Sequence, residues 1–255
     1  MKLIINGANG RMGHMVTKMV EESGEEIAAL VDMTFEQYDP SLPSPYAGAA
    51  RYTRLDEYNG EADCVIDFSN HKATPEITAY CVKHNLPVLI ASTGQNPEEL
   101  AMIHEAAKKV PVFLSPNMSI GVALLADLAE RVTRIFGSCD IELIEAHHNQ
   151  KLDVPSGTAL MLANRIKEAE NDLTFNIGRH ENGKRPGNEI GIHSLRYGSE
   201  VGTHEIIFSN GLETITLKHD AKDRALFAKG ALSAVKWLVS QKPGFYNMKD
   251  FLAEA

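Results

Sequence analysis

The chain opens on a short apolar run, Lys2-Leu3-Ile4-Ile5, closed by Asn6-Gly7, and then sets Met12, Met15, Val16, Met19 and Val20 at helical spacing. Strand, tight turn and helix are the reading. Ser23-Gly24 ends the helix, and a second apolar run over 27–31 stops at Asp32, which completes a β-α-β unit. Strand-like runs follow at 64–68, 87–91 and 110–114, separated by helical stretches. One of these begins Asn96-Pro97-Glu98-Glu99: a capping side chain, a proline suited to the first turn, and two acids that the helix dipole favours. Strands alternating with helices predict a parallel, doubly wound α/β sheet.

The pattern changes after Asn117. An amphipathic stretch over 120–136 leads to an alternating strand over 141–146, a polar loop, and a helical run over 158–169. Residues 191–218 alternate in three runs, with Asn210-Gly211 between the last two as a two-residue hairpin signal, so antiparallel pairs of a second architecture are expected. The segment 178–191 is the most polar and glycine-rich and is expected to be a mobile loop. A last helix over 225–239 carries Leu226, Phe227, Gly230, Ala231, Ala234, Val235 and Leu238 on one face and is stopped by Pro243-Gly244.

With 255 residues, 44% of them apolar and 23% charged, the chain has the composition of a globular protein of one large domain or two modest ones. A net charge of −9 disfavours nucleic acid and anionic membranes as partners. Cys64, Cys81 and Cys139 are odd in number and far apart, which suits buried thiols in a reducing cytoplasm better than disulfides or a metal pair. The N-terminal apolar run is too short for a signal peptide, and no membrane span is expected.

Candidate chemistry lies at strand ends. Gly7-Ala8-Asn9-Gly10-Arg11-Met12-Gly13 falls between a strand and a helix, where missing side chains let a pyrophosphate reach backbone N–H groups. Asp32, at the end of the second strand, can accept hydrogen bonds from the adenosine ribose. Met33 beside it offers no cation to a 2′-phosphate, so NADH is expected to be preferred, with NADPH left possible because Arg11 can partly compensate. Ala91-Ser92-Thr93-Gly94 and Ser115-Pro116-Asn117-Met118 present small polar groups at the same sheet edge, although such residues also serve as plain turns and caps.

The segment Glu145-Ala146-His147-His148-Asn149-Gln150-Lys151-Leu152-Asp153-Val154-Pro155-Ser156-Gly157-Thr158-Ala159 gathers two imidazoles, an ammonium and a helix-opening turn. That suits anions: Ser156, Gly157 and Thr158 can hold one carboxylate, His148 and Lys151 another, and His147 can donate a proton. Adjacent histidines point apart and lack a partner at metal-ligand spacing, so no metal is expected.

This string resembles the signature E-A-H-H-x-x-K-x-D-x-P-S-G-T-A of the bacterial dihydrodipicolinate reductases of lysine biosynthesis. GANGRMG, Asp67-Phe68-Ser69, the Ser-Thr-Gly and Ser-Pro-Asn-Met-Ser-Ile-Gly-Val segments and the run from Arg224 to Phe227 resemble that family in order and spacing. The resemblance implies a Rossmann-like dinucleotide-binding domain at 1–118 and 224–255. It implies an inserted α+β domain with a mixed sheet at 119–223 for substrate binding and homotetramer assembly, and a hinge motion that brings the two together. It assigns His147 as general acid/base and Lys151 as proton donor and substrate ligand. It places His148, Gly157 and Thr158 on the substrate carboxylates. Cofactor contacts fall on Gly7, Ala8, Asn9, Gly10, Arg11, Met12, Asp32, Ala91, Ser92, Thr93, Ser115, Pro116, Asn117 and Met118. The activity implied is NAD(P)H-dependent reduction of 4-hydroxy-tetrahydrodipicolinate, a small dicarboxylate. An aspartate dehydrogenase-like enzyme would explain the glycine loop but not the His-His-Lys segment. An NAD-sensing regulator would call for a basic helix-turn-helix, which the sequence lacks.

Overall fold

In the computed structural model, which describes residues 1–37 and 49–254, the chain runs β1 (Lys2–Asn6), α1 (Arg11–Glu22), β2 (Glu26–Val31), β3 (Arg51–Tyr52), β4 (Cys64–Asp67), α2 (Thr74–His84), β5 (Val88–Ile90), α3 (Pro97–Ala107) and β6 (Pro111–Leu114). It continues through α4 (Ile120–Phe136), β7 (Asp140–His147), α5 (Gly157–Ala169), β8 (Thr174–Ile177), β9 (Glu189–Arg196), β10 (Gly202–Ser209) and β11 (Thr214–Ala221), and ends with α6 (Ala225–Leu238), β12 (Gly244–Tyr246) and α7 (Met248–Glu254). Two units result: Met1–Ser119 with Ala225–Ala255, and Ile120–Arg224.

The first unit is built on a seven-stranded sheet of order β12-β6-β5-β4-β1-β2-β3, in which every adjacent pair is parallel. Its central strands are near-continuous apolar runs because helices cover both faces. Ile4, Val65, Val88 and Ile90 pack with Ile77, Cys81 and Ile103 from α2 and α3, while α1 and α6 pack on each other and on the opposite face. The expected cap of α3 forms: Glu99 N–H donates to the Asn96 side chain, and Asn96 N–H donates to the Glu99 carboxylate, each at 2.8 Å. The order of strands reverses between β1 and β4, which opens a crevice outside their carboxyl ends.

The second unit holds a mixed five-stranded sheet of order β11-β10-β7-β9-β8. The antiparallel pairing expected for the three runs is only partly found. β10 pairs antiparallel with β11, but β9 lies parallel to β7 on its other side. The Asn210-Gly211 turn is also longer than its sequence signal: the ladder closes at Ser209 and Thr214, and the Asn210 side chain accepts from the N–H groups of Leu212 and Glu213, holding a four-residue loop. Segment 178–191 is anchored by charge. Arg185 reaches Asp140 at 2.7 Å and Glu142 at 3.0 Å, Arg179 also meets Glu142, and the segment's last residues belong to β9. All three cysteines are free and buried, and burial raises their thiol pKa values. Among the described residues, no helix is long and apolar enough to cross a membrane.

Gly13 ties α1 to β1. A Cβ there would overlap the Gly7 carbonyl oxygen and stand 2.7 Å from the Ala8 backbone. Gly13→Ala is therefore expected to cost about 3 kcal/mol by forced overpacking and to lower the melting temperature by roughly 6–10 °C. Gly24→Ala, strained only by its φ of +75° in open space, should cost about 1 kcal/mol; calorimetry of the two variants checks the difference.

Candidate active site

At the end of β1 the chain turns sharply. Gly7 adopts a φ of +77°, and a Cβ there would stand 2.7 Å from the backbone of Phe68 and Ser69. Gly7 and Ala8 donate to the Val31 carbonyl at 2.9 and 3.1 Å, and Gly10 donates to Gly7 at 3.1 Å. Gly10 begins α1 without any side-chain cap, so the first N–H groups of the helix face a cradle that side chains would fill. That arrangement fits a dinucleotide pyrophosphate. Asn9 and Arg11 are exposed on the loop and Met12 is half-buried. Asp32 accepts from Asn9 N–H at 3.0 Å, and from the N–H and hydroxyl of Thr34 at 2.9 and 2.6 Å. Thr34, which sequence reasoning missed, thus belongs to this carboxylate's surroundings, whereas Met33 is 80% exposed.

The hydroxyls of the two polar tetrapeptides bond within the protein, one to a neighbouring strand end and the other within its own turn. Ser92 is buried and donates to Asp67 at 2.8 Å, beside half-buried Ala91 and exposed Thr93. Asp67 is fully buried and also collects Asn6 Nδ2 at 2.8 Å and Ser69 N–H at 3.0 Å. Burial raises its pKa despite these donors. Ser115 donates to the Asn117 carbonyl at 2.7 Å, and the Asn117 side chain accepts from Ser119 N–H. Pro116 is exposed and the Met118 side chain is buried.

In the second unit the candidate residues grow out of a strand's alternation. Ile141, Leu143, Glu145 and His147 share one face of β7, since side chains two apart point the same way. The register sets Phe208 and Ile190 beside Ile141, Ile206 and Ile192 beside Leu143, and His204 and Ser194 beside Glu145. Apolar layers therefore give way to a polar layer toward the carboxyl end of β7. There the fully buried Glu145 accepts from His147 Nδ1 at 2.5 Å, from Arg196 at 2.8 and 2.9 Å, and from Ser156 N–H at 3.2 Å. Burial works against its charge, but the His147 and Arg196 hydrogen bonds hold its pKa far below the usual carboxylate range.

Around this centre stand the residues marked by the sequence. Ser156 caps α5 by accepting from Ala159 N–H at 3.1 Å, with Gly157 and Thr158 as the first helical residues. Lys151 Nζ pairs with Asp153 at 2.8 Å. The Arg224 guanidinium lies 3.5 Å from His148 Nε2, and lost solvation followed by the Arg224 charge lowers the His148 pKa. Glu145, Arg196, His204 and Gly202 were given no role by sequence reasoning. A Cβ on Gly202 would stand 3.0 Å from His147 Nε2. The period-two pattern of β7 pairs Glu145 with His147, but Arg196 and His204 are brought in by a strand register that the sequence does not display. No group of three or more His, Cys, Asp or Glu side chains able to hold a metal occurs among the described residues.

A doubly wound sheet with an uncapped glycine cradle, joined in one chain to a unit that concentrates imidazoles and cations at a helix start, defines a dinucleotide-dependent oxidoreductase. Residues 1–118 match the family model described as dihydrodipicolinate reductase, N-terminus, and residues 121–252 match its C-terminal counterpart. The chain belongs to the dihydrodipicolinate reductase family. It is 42% identical over 254 residues to the 4-hydroxy-tetrahydrodipicolinate reductases of Caldanaerobacter subterraneus subsp. tengcongensis and Clostridium novyi, covering 98% of each chain in both comparisons. The solved structure of dipicolinate-bound dihydrodipicolinate reductase from Paenisporosarcina sp. TG-14 superposes with a TM-score of 0.81 at 26% identity, covering 96% of this chain and 97% of that one.

Burial, followed by the charge of His147, presses the His204 pKa down to about 3. The unfolded chain, whose histidines titrate near 6.5, takes up this proton first as pH falls, so acid draws the equilibrium toward unfolding. Urea denaturation should show the wild type losing about 2 kcal/mol more than His204→Leu between pH 7 and pH 5. Parallel losses would place the His204 proton elsewhere.

Proposed function

We propose that the chain reduces 4-hydroxy-tetrahydrodipicolinate to tetrahydrodipicolinate in diaminopimelate and lysine biosynthesis, with NADH as the preferred reductant. The observation that carries this reading is the clustering of His147, His148 and Lys151 beside the α5 start. The dipicolinate bound by the Paenisporosarcina relative is itself a dicarboxylate. Lys151 exchanges Asp153 for one substrate carboxylate, with His148 beside it. Gly157 N–H and Thr158 hold the other at the α5 start, where N–H groups and the helix dipole favour an anion. Each contact opposes a negative charge, and together they fix the ring.

The nicotinamide supplies a hydride when bound. The residues that hold the dinucleotide are Gly7 to Met12 at the pyrophosphate and Asp32 at the adenosine ribose, with Ala91 to Thr93 and Ser115 to Met118 along the sheet edge. Reduction adds a hydride and a proton to the conjugated C=C–C=N system of the ring formed when the substrate loses water. His147 supplies the proton, and Lys151 steadies the charge that develops. A homotetramer follows from the family resemblance; exposed Ile177, Leu195 and Tyr197 on and beside β8 and β9 suit a protein contact. A reducing cytoplasm suits three buried, unpaired cysteines.

Assay of NADH and NADPH oxidation with freshly made 4-hydroxy-tetrahydrodipicolinate tests the reading, and absence of turnover with both cofactors would overturn it. His147→Gln should lower kcat about 10²–10⁴-fold, the span of general acid–base groups, while leaving the NADH dissociation constant unchanged.

Cofactor choice turns on one charge. Asp32 suits a ribose diol and repels a 2′-phosphate, and exposed Met33 neutralises nothing. NADH is expected to lead by about tenfold in kcat/KM. Met33→Arg should improve NADPH more than NADH, since only NADPH offers the new cation a phosphate. Equal shifts for both cofactors would remove these residues from the 2′ position.

A further inference from the structure

Glu145 has no partner role in the chemistry proposed above, yet it is the most completely enclosed charge in its unit, with none of its surface exposed. A carboxylate without water is costly unless hydrogen-bond donors fill its oxygens. One oxygen takes His147 Nδ1 at 2.5 Å and Arg196 Nη1 at 2.9 Å; the other takes Arg196 Nη2 at 2.8 Å and Ser156 N–H at 3.2 Å. Arg196 is held in turn by the carbonyls of Leu195 and Asp153, at 2.7 and 2.8 Å.

We propose that Glu145 is a positioning residue: gripped by Arg196, its carboxylate keeps the proton of neutral His147 on Nδ1, leaves Nε2 as the working nitrogen, and ties that imidazole to the turn that opens α5. This rests on the reduction proposed above and on His147 as its proton donor. With Nδ1 committed to Glu145, only Nε2 can take up and release a proton. Nε2 faces Gly202, where the missing side chain leaves room. An amide cannot replace the carboxylate. Arg196 donates to both oxygens, so the NH2 of a glutamine would meet a guanidinium donor in either orientation. The same carboxylate steadies Ser156, whose neighbours Gly157 and Thr158 are the proposed carboxylate ligands.

The groups that bear on the His147 charge are Glu145 on its own strand, Arg196 on β9, His204 on β10 with His219 behind it on β11, and His148 and Lys151 in the loop after β7. Of these, Glu145 supplies the adjacent negative charge. Its removal disfavours the imidazolium, so activity that depends on that acid is lost at lower pH.

The test uses full-length protein with 15N-labelled histidine. Two-bond 1H–15N spectra at neutral pH, assigned with His147→Gln, should show His147 protonated at Nδ1 in the wild type and this signature lost in Glu145→Gln. Glu145→Gln should lower kcat about 10²-fold, less than the 10⁴-fold known for a triad aspartate changed to its amide. It should also move the alkaline limb of the kcat profile down by about one pH unit, raise KM severalfold, and leave NADH binding, followed by fluorescence, unchanged. Glu145→Asp should recover part of both kcat and the limb. If Arg196, left uncompensated, prevents Glu145→Gln from folding, the double variant Glu145→Gln, Arg196→Gln removes both charges and should show the same tautomer change and pH shift. A wild-type His147 protonated at Nε2, or folded variants with the wild-type tautomer and pH profile, would overturn the proposal. Loss of stability with unchanged activity per folded molecule would also overturn it. Absence of wild-type turnover would instead overturn the functional reading, and the spectra would still decide the role of Glu145.

Discussion

Burying one carboxylate at the end of β7 imposes conditions that much of the second unit has to meet. Glu145 must receive donors from its own strand, from β9 and from the start of α5. Those donors meet only if the parallel register of β7 with β9 sets Arg196 beside His147. A slip of one residue would turn Glu145 and His147 to the other face and drive Glu142 and Ile144 inward. The apolar layers below hold that register: Phe208, Ile141 and Ile190 form one row, and Ile206, Leu143 and Ile192 the next. Packing and polar satisfaction therefore specify the same pairing, which is how a polar group inside a sheet becomes a constraint on the fold.

Asp67 in the first unit offers an instructive contrast. It too is a buried acid at the end of a central strand, and it gathers Asn6, Ser69 and Ser92 from neighbouring segments. Its pKa moves upward, whereas that of Glu145 moves downward. The difference lies in the donors. Amide and hydroxyl groups replace only part of the solvation that burial removes, while the hydrogen bond that Glu145 takes from His147 is joined by a guanidinium that adds charge of opposite sign. Asp67 thus ties strand ends together, and Glu145 also shapes the electrostatics of the histidine beside it.

Much of this was legible from residue order. The first β-α-β unit, the capped start of α3 and the face of α6 follow from short-range patterns, because a repeat of apolar positions and a capping side chain are local. The glycine loop was equally plain; Gly13 proves to be demanded by backbone within that turn, and Gly7 by the backbone of Phe68 and Ser69, a contact that no local pattern announces. Legibility failed wherever distant segments meet. Three alternating runs suggested antiparallel pairs, but β7 lies between β9 and β10 and runs parallel to β9, an arrangement that no local period reveals. Ser92 and Ser115 were ambiguous for a related reason: the same hydroxyl can face a ligand or bond within the protein, and their partners Asp67 and Asn117 lie outside any period in the sequence. The polar, glycine-rich composition of 178–191 likewise gave no sign that Arg179 and Arg185 bind acids on β7 and β9.

The order of segments along the chain carries a consequence for its synthesis. One face of the seven-stranded sheet is covered partly by α6, whose Ala228, Ala231, Val235 and Leu238 are buried, and the sheet's outer strand β12 follows α6. Both leave the ribosome only after the whole of Ile120–Arg224 has been made. The growing chain must therefore carry a sheet with one side covered by α1 alone, and an unpaired edge at β6, through the translation of more than a hundred residues. During that interval such a surface invites chaperones or aggregation. Ile120–Arg224 has its own apolar core and is contiguous in sequence, so it can close first while the earlier-made sheet waits for its last helix.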